Sequence, residues 1–167
     1  FRLAVSNREA VVDALAANAV DLAIMGRPPQ ALETVAASFA PHPFVVIAAP
    51  GHPLARRRRL PVAALAEESF LVREPGSGTR TAMQGYFDEH GVVVRIGMEM
   101  ASNETIKQAV MAGMGVAFIS RHTIELELAT KRVVLLDVQG LPVMREWFVV
   151  HLAAKRLSPT AQAFREF

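Results

Sequence analysis

The segment Phe70-Leu-Val-Arg-Glu-Pro-Gly-Ser-Gly-Thr-Arg80 carries the residue types of an anion or small-ligand site. Phe70 to Val72 reads as a buried strand, Pro75 to Thr79 as a glycine-rich turn, and the residues to about His90 as a helix. The first N–H groups of a helix have no partner inside it, and the helix dipole adds partial positive charge there. Gly76 and Gly78 let the backbone approach a ligand closely, and the hydroxyls of Ser77 and Thr79 can donate or accept. The plainer alternative is an ordinary strand-to-helix turn in which Ser77 or Thr79 is the N-cap.

Two further segments share this design. Val92 to Met98 has strand character, and Ala101-Ser102-Asn103-Glu104-Thr105 then opens a helix through about Ala112. Ser102 and Asn103 are strong cap residues, and Glu104 suits the dipole. Leu3 to Val5 reads as a strand before a capping box, with Ser6 as cap and Glu9 reaching back. The strand Val20 to Met25 stops at Gly26-Arg27-Pro28-Pro29. The expected ligand contacts, all following strand ends, are therefore Ser6, Asn7, Met25, Gly26, Arg27, Glu74, Pro75, Gly76, Ser77, Gly78, Thr79, Ser102, Asn103, Glu104 and Thr105. Arg27 can fork a carboxylate or phosphate. Arg73 and Lys107 read as surface charge. Glu74 would repel an anion, so it accepts hydroxyls or pairs with an arginine.

Catalysis finds no support. Gly76-Ser77-Gly78 matches neither the nucleophile elbow nor the phosphate loop. Gly113 and Gly115 read as a helix stop, not a dinucleotide fingerprint. The five histidines show no metal-ligand spacing. Arg56 to Arg59, without interleaved aromatics, reads as a solvated loop.

The elements that position these residues alternate between strand and helix, which implies a mostly parallel sheet covered by helices. In such sheets ligands sit beyond the carboxyl ends of the strands. Residues 34–40 and 43–49 read as two strands, Val62 to Glu67 as a short helix opened by Pro61, and Val116 to Ile119 as a strand. Val133 to Val138 and Trp147 to Leu152 read as strands separated by a Gly140/Pro142 turn, and Thr160 to Phe167 as a final helix. With 167 residues, 51% of them apolar, the chain can bury a substantial core. No apolar run approaches the roughly 20 residues of a membrane span. Cysteine is absent, which excludes disulfides and fits a cytoplasmic protein. A formal charge of +2 does not by itself argue for nucleic acid or membrane binding.

Val20-Asp-Leu-Ala-Ile-Met-Gly-Arg-Pro-Pro29, Pro50-Gly-His-Pro-Leu54, Arg73 to Arg80, Ala112-Gly-Met-Gly-Val-Ala-Phe-Ile-Ser120 and Lys155-Arg-Leu-Ser-Pro159 follow one another in an order that resembles the effector-binding domain of LysR-type transcriptional regulators. Asn7-Arg-Glu9, Ile24-Met-Gly-Arg-Pro-Pro29, Ser102 to Met111, Gly140 to Val143 and Trp147 to Val150 look closest to the regulators of Calvin-cycle (RuBisCO) operons. The resemblance implies an α/β, type 2 periplasmic-binding-protein-like fold of two lobes flanking a ligand cleft. Lobe I would be residues 1–68 and 147–167, lobe II residues 69–146, with crossovers near Glu68–Ser69 and Arg145–Glu146. It also implies that lobe I here lacks the family's first strand and helix, and that it exposes an apolar face around Leu3 to Val5 and Val20 to Ile24. A small anionic, phosphorylated metabolite of carbon fixation would be the effector, with no cofactor. DNA would be bound through an N-terminal domain absent from this chain, in a cytoplasmic homo-oligomer, dimer or tetramer. The alternatives are a transporter's solute-binding protein of the same fold, or an enzyme acting on a phosphorylated substrate.

No recognition helix is visible in these residues, and Arg56 to Arg59 would support only salt-sensitive, sequence-blind attraction. The expected outcome is no sequence-specific DNA binding by this 167-residue chain at physiological salt. A gel shift that discriminates promoter from random duplex would contradict it.

Overall fold

A computed structural model of the chain describes residues 2–166; Phe1 and Phe167, the last residue of the expected final helix, lie outside the described residues. The chain forms two compact units, one of residues up to Pro41 joined by those from Arg145 onward, the other His42–Met144. The expected boundaries were 68/69 and 146/147. Residues 42–68 cluster with the second unit because Leu54, Leu60, Val62 and Leu65 are buried in one core with Phe70 and Phe87.

Unit one contains helix α1 (Arg8–Ala16), strand β1 (Ala23–Met25), the first part of strand β2 (Thr34–Ala48), most of strand β7 (Val143–Leu152) and helix α5 (Pro159–Glu166). The strand order is β1-β7-β2, and β1 pairs antiparallel with β7 from Ala23↔Val150 to Met25↔Phe148. Leu15, Ala23, Met25 and Val150 form the buried cluster, with Val11, Val12 and Phe148 packed against it. Lys155 reaches back to the Val20 carbonyl at 2.9 Å and to Asp21 at 2.9 Å, holding the chain after β7 to the turn before β1.

Three expectations are corrected in this unit. Leu3 to Val5 is not a strand: it pairs with no described strand, and Leu3 and Val5 are exposed. The cap of α1 is Asn7, whose Oδ1 accepts from the Ala10 N–H at 3.0 Å, so Ser6 and Glu9 form no capping box. Residues 34–40 and 43–49 are one strand, β2, not two. Pro41 and Pro43 precede Phe44, the first residue paired with β5, so their missing N–H groups remove nothing from that ladder.

Unit two adds β3 (Ser69–Arg73), α2 (Gly78–Glu89), β4 (Arg95–Met100), α3 (Asn103–Met111), β5 (Ala117–Ser120), α4 (Glu125–Ala129) and β6 (Val134–Leu135), with single 3₁₀ turns at Pro53–Arg56, Val62–Leu65 and Arg121–Ile124. The turn at Val62–Leu65 takes the place of the expected helix, with Pro61 as its N-cap. β3 and β4 run parallel, from Ser69↔Arg95 to Arg73↔Met100. On its other edge β3 meets the start of the β5 segment: the Leu71 N–H donates to Val116 at 2.8 Å, and the Val116 N–H to Ser69 at 2.9 Å. β2 pairs antiparallel with β5 and β6.

The sheet is therefore not mostly parallel, as expected from the strand–helix alternation. β3 and β4, joined by α2, pair in parallel, whereas β1 with β7 and β2 with β5 and β6, none of them consecutive in the chain, pair antiparallel. The core explains the continuous apolar runs. Phe44, Val46, Phe70, Val72, Val116 and Phe118 face one cluster, whereas Val45, Ile47, Leu71, Ala117 and Ile119 face the other. Alternation of side chains across a sheet buried on both faces requires apolar residues at every position.

Unit one has one small buried cluster and unit two has two larger ones, although both leave large apolar side chains exposed, among them Ile24 and Phe39 in the first and Val93 and Ile96 in the second. Local stability follows buried apolar contact. Backbone amides of β1 and α1 are expected to exchange with solvent faster than those of Val46, Leu71 and Ile119. Hydrogen exchange read residue by residue checks this, and equal protection in both units would refute it.

Candidate functional site

The strongest site in unit two is built at the carboxyl ends of β3 and β4. Each strand leads into a helix, β3 into α2 and β4 into α3, and parallel pairing sets their exits side by side. Close approach on both edges of β3 requires glycine. A Cβ at Gly97 would collide with the Ser69 side chain, and one at Gly115 with the Ser69 carbonyl oxygen. Past Arg73, the Glu74 N–H donates to the Met100 carbonyl at 3.2 Å, and Gly76 turns the chain with φ +82°.

Ser77 is the N-cap residue of α2, yet its side chain makes no capping hydrogen bond although the residue is only 2% exposed. The N–H groups of Gly78, Thr79 and Arg80 occupy the first turn, where none has an intrahelical acceptor. Beside them, Ser102 caps α3 and accepts from the Glu104 and Thr105 N–H groups at 3.1 and 3.5 Å. The two helix starts are tied by Arg73. Its Nε and Nη2 donate to the two oxygens of Glu74 at 2.7 and 2.9 Å, and its Nη1 donates to Asn103 Oδ1 at 2.9 Å. Arg80 donates from Nη1 to the Arg73 carbonyl at 3.0 Å and stands 3.7 Å from Glu99.

The structure thus brings together Glu74 to Thr79 with Ser102 and Asn103. Glu104 turns away: it is exposed and bonded to Lys107 and Gln108, which hold its carboxyl below the ordinary range. Ser6 is exposed, and Asn7 is engaged as a cap. The Met25 side chain lies in the core of unit one, while Gly26 and the exposed Arg27 form the loop after β1. Reading Arg73 and Lys107 as surface charge is overturned. Both side chains are largely buried; Lys107 bridges Glu104 and Glu127 at 2.7 and 2.9 Å. Burial alone would lower the Lys107 pKa, but hydrogen bonds to both carboxylates outweigh it and raise it. The expected pairing of Glu74 with an arginine is met by Arg73, but the contact of Arg73 with Asn103, thirty residues away, leaves no local sign. The sign of the pairing was a basic and an acidic residue adjacent at a strand end.

The chain matches the LysR substrate binding domain over residues 1–167. The chain belongs to that family. A RuBisCO operon transcriptional regulator of Allochromatium vinosum is 54% identical over the whole chain, and CbbR of Rhodospirillum rubrum is 50% identical over 99% of it. The chain spans about half the length of these relatives, 55% and 54%. The regulatory domain of Synechocystis PCC6803 CcmR, solved in complex with 2-PG, is 41% identical with a TM-score of 0.92, over 96% of this chain and 77% of that one. The effector-binding domain of QuiR with shikimate, 20% identical at a TM-score of 0.85, shares the fold. LysR effector domains have the type 2 periplasmic-binding-protein-like fold. Their names describe regulators, a non-enzymatic role, and no helix among the described residues is long and apolar enough to cross a membrane.

A separate, open depression of about 330 Å³ follows β5, lined by Pro43, Arg121, His122, Glu125 and Leu128. Close to it in sequence, His42 is buried with its ring 4.3 Å from that of Phe44. Burial, and then the His122 charge, pushes the His42 imidazole down to about 4 from an ordinary 6.5. The folded state therefore holds His42 neutral, while the unfolded chain binds its proton more readily. The resulting stability is fully present above pH 6.5 and is lost as pH falls toward about 4. Urea melts at pH 7 and pH 4.5 should show a smaller pH-dependent loss for His42→Gln than for the parent; parallel losses would mean that His42 does not cause it.

Proposed function

We propose that this chain is the effector-sensing domain of a LysR-type regulator of carbon-fixation genes. Its effector is a small anionic, phosphorylated metabolite bound beyond β3 and β4. The observation that carries this reading is the pair of helix N-termini set side by side, one of them capped by a buried serine whose hydroxyl is not spent on the helix. N–H groups and hydroxyls arranged in this way suit phosphate oxygens. The similarity to a regulatory domain that binds 2-phosphoglycolate supports the same chemistry. Curated relatives named as RuBisCO operon regulators support the carbon-fixation role and do not favour a transport protein.

DNA binding in this reading belongs to a further domain, acting in the cytoplasm within a homo-oligomer. An effector acts by differential affinity: it shifts the domain toward whichever conformation binds it better. Calorimetric titration with 2-phosphoglycolate is expected to show saturable binding. Thr79→Ala and Ser77→Ala should each weaken it by roughly 1.5–3 kcal/mol, the worth of one charge-assisted hydrogen bond. A domain that binds only neutral ligands, or one indifferent to both substitutions, would rule the reading out.

A further inference from the structure

The proposed site has a feature that a simple anion receptor would lack. Arg73 stands where its guanidinium would serve a phosphate, at the carboxyl end of β3 and directly before the α2 turn. The edge carrying Nε and Nη2 matches a carboxylate or phosphate in two parallel hydrogen bonds. Glu74 already fills that edge, at 2.7 and 2.9 Å, and Asn103 takes Nη1 at 2.9 Å. Both partners of the pair are largely buried, with side chains 14% and 20% exposed, so the pairing is not weakened as a surface pair would be. Arg80 is engaged through Nη1 alone, which donates to the Arg73 carbonyl at 3.0 Å and stands 3.7 Å from Glu99, while its Nε is buried without a hydrogen-bond partner. Each guanidinium at this end of unit two is thus matched by a carboxylate. The donors left over are the buried Nε of Arg80, the backbone N–H groups of the α2 start and the hydroxyls of Ser77 and Thr79.

We infer that Glu74 is a specificity residue: by filling the guanidinium fork of Arg73 it withholds that cation from anions, so that ligands are selected by directed hydrogen bonds and not by charge alone. The inference rests on the effector reading above. An open arginine fork would bind any compact tetrahedral anion. A fork closed by an internal carboxylate holds such ions off, both by occupying the donors and by its own negative charge. A larger ligand, offering more acceptors to the N–H groups and hydroxyls, loses less.

The test is calorimetric titration of the whole chain with inorganic phosphate and, separately, with 2-phosphoglycolate. Glu74→Gln is expected to bind inorganic phosphate about tenfold more tightly than the parent, the gain from roughly one charge-assisted hydrogen bond. Its preference for 2-phosphoglycolate over phosphate should shrink. Adding Arg73→Gln should remove the gain, because the gain requires the freed guanidinium. Unchanged or weaker phosphate binding in Glu74→Gln, or a gain that survives the double substitution, overturns the inference. One measurement needs no variant to fold: in the parent chain the Arg73 Nε–H resonance should stay fixed at saturating phosphate, and a phosphate-dependent shift also overturns it. Failure of the effector reading looks different. There 2-phosphoglycolate binds neither parent nor variant, while the phosphate comparison still decides the role of Glu74.

Discussion

Strand β3 is the constraint on which the rest of unit two depends. It is buried on both faces, Phe70 and Val72 toward one cluster and Leu71 toward the other, and hydrogen-bonded along both edges. A strand in that position tolerates no polar side chain in its middle and no bulky neighbour at its start. Gly97 and Gly115, flanking Ser69, answer the second requirement. Once β3 and β4 are parallel and in register to Arg73↔Met100, the starts of α2 and α3 have to emerge together. The candidate site is a consequence of that register.

Charge is handled locally around this exit. Arg73 with Glu74, Arg80 with Glu99, and Lys107 between Glu104 and Glu127 each join a cation to a carboxylate close by in space. The Lys107 pairing joins α3 to the Glu127 of α4. Isolated buried charges are costly, and truncating one partner of such a pair leaves the other uncompensated. The pairs tie the helix starts together, and in the proposed reading they leave recognition to oriented N–H and hydroxyl groups.

The two units differ in how their strands are used. In unit two β3, β5 and the later part of β2 are buried and apolar, whereas β4 is exposed along most of its length. In unit one the early part of β2 is exposed, and Val35 and Phe39 remain partly accessible. β2 and β7 carry the chain from one unit to the other, so a single strand has two burial environments along its length.

Much of this was legible in the residues. The apolar runs at Phe44–Ala48, Phe70–Val72 and Val116–Ile119, the Ser102 cap and the glycine turn before α2 are local signals, fixed by side-chain period and backbone freedom. The family resemblance followed from the same residues and agrees with the match over the whole chain. Other features depended on partners distant in sequence. Leu3 to Val5 has strand composition, but a strand forms only where another pairs with it. Ser6 and Asn7 are equally good caps on paper, and the geometry of one turn chose Asn7. Which strands pair antiparallel, that residues 42–68 join the second unit, and that Arg73 also reaches Asn103 were decided only by tertiary packing. Side-chain type limits what a residue can bond to, but the partner it meets is set by how distant segments are brought together.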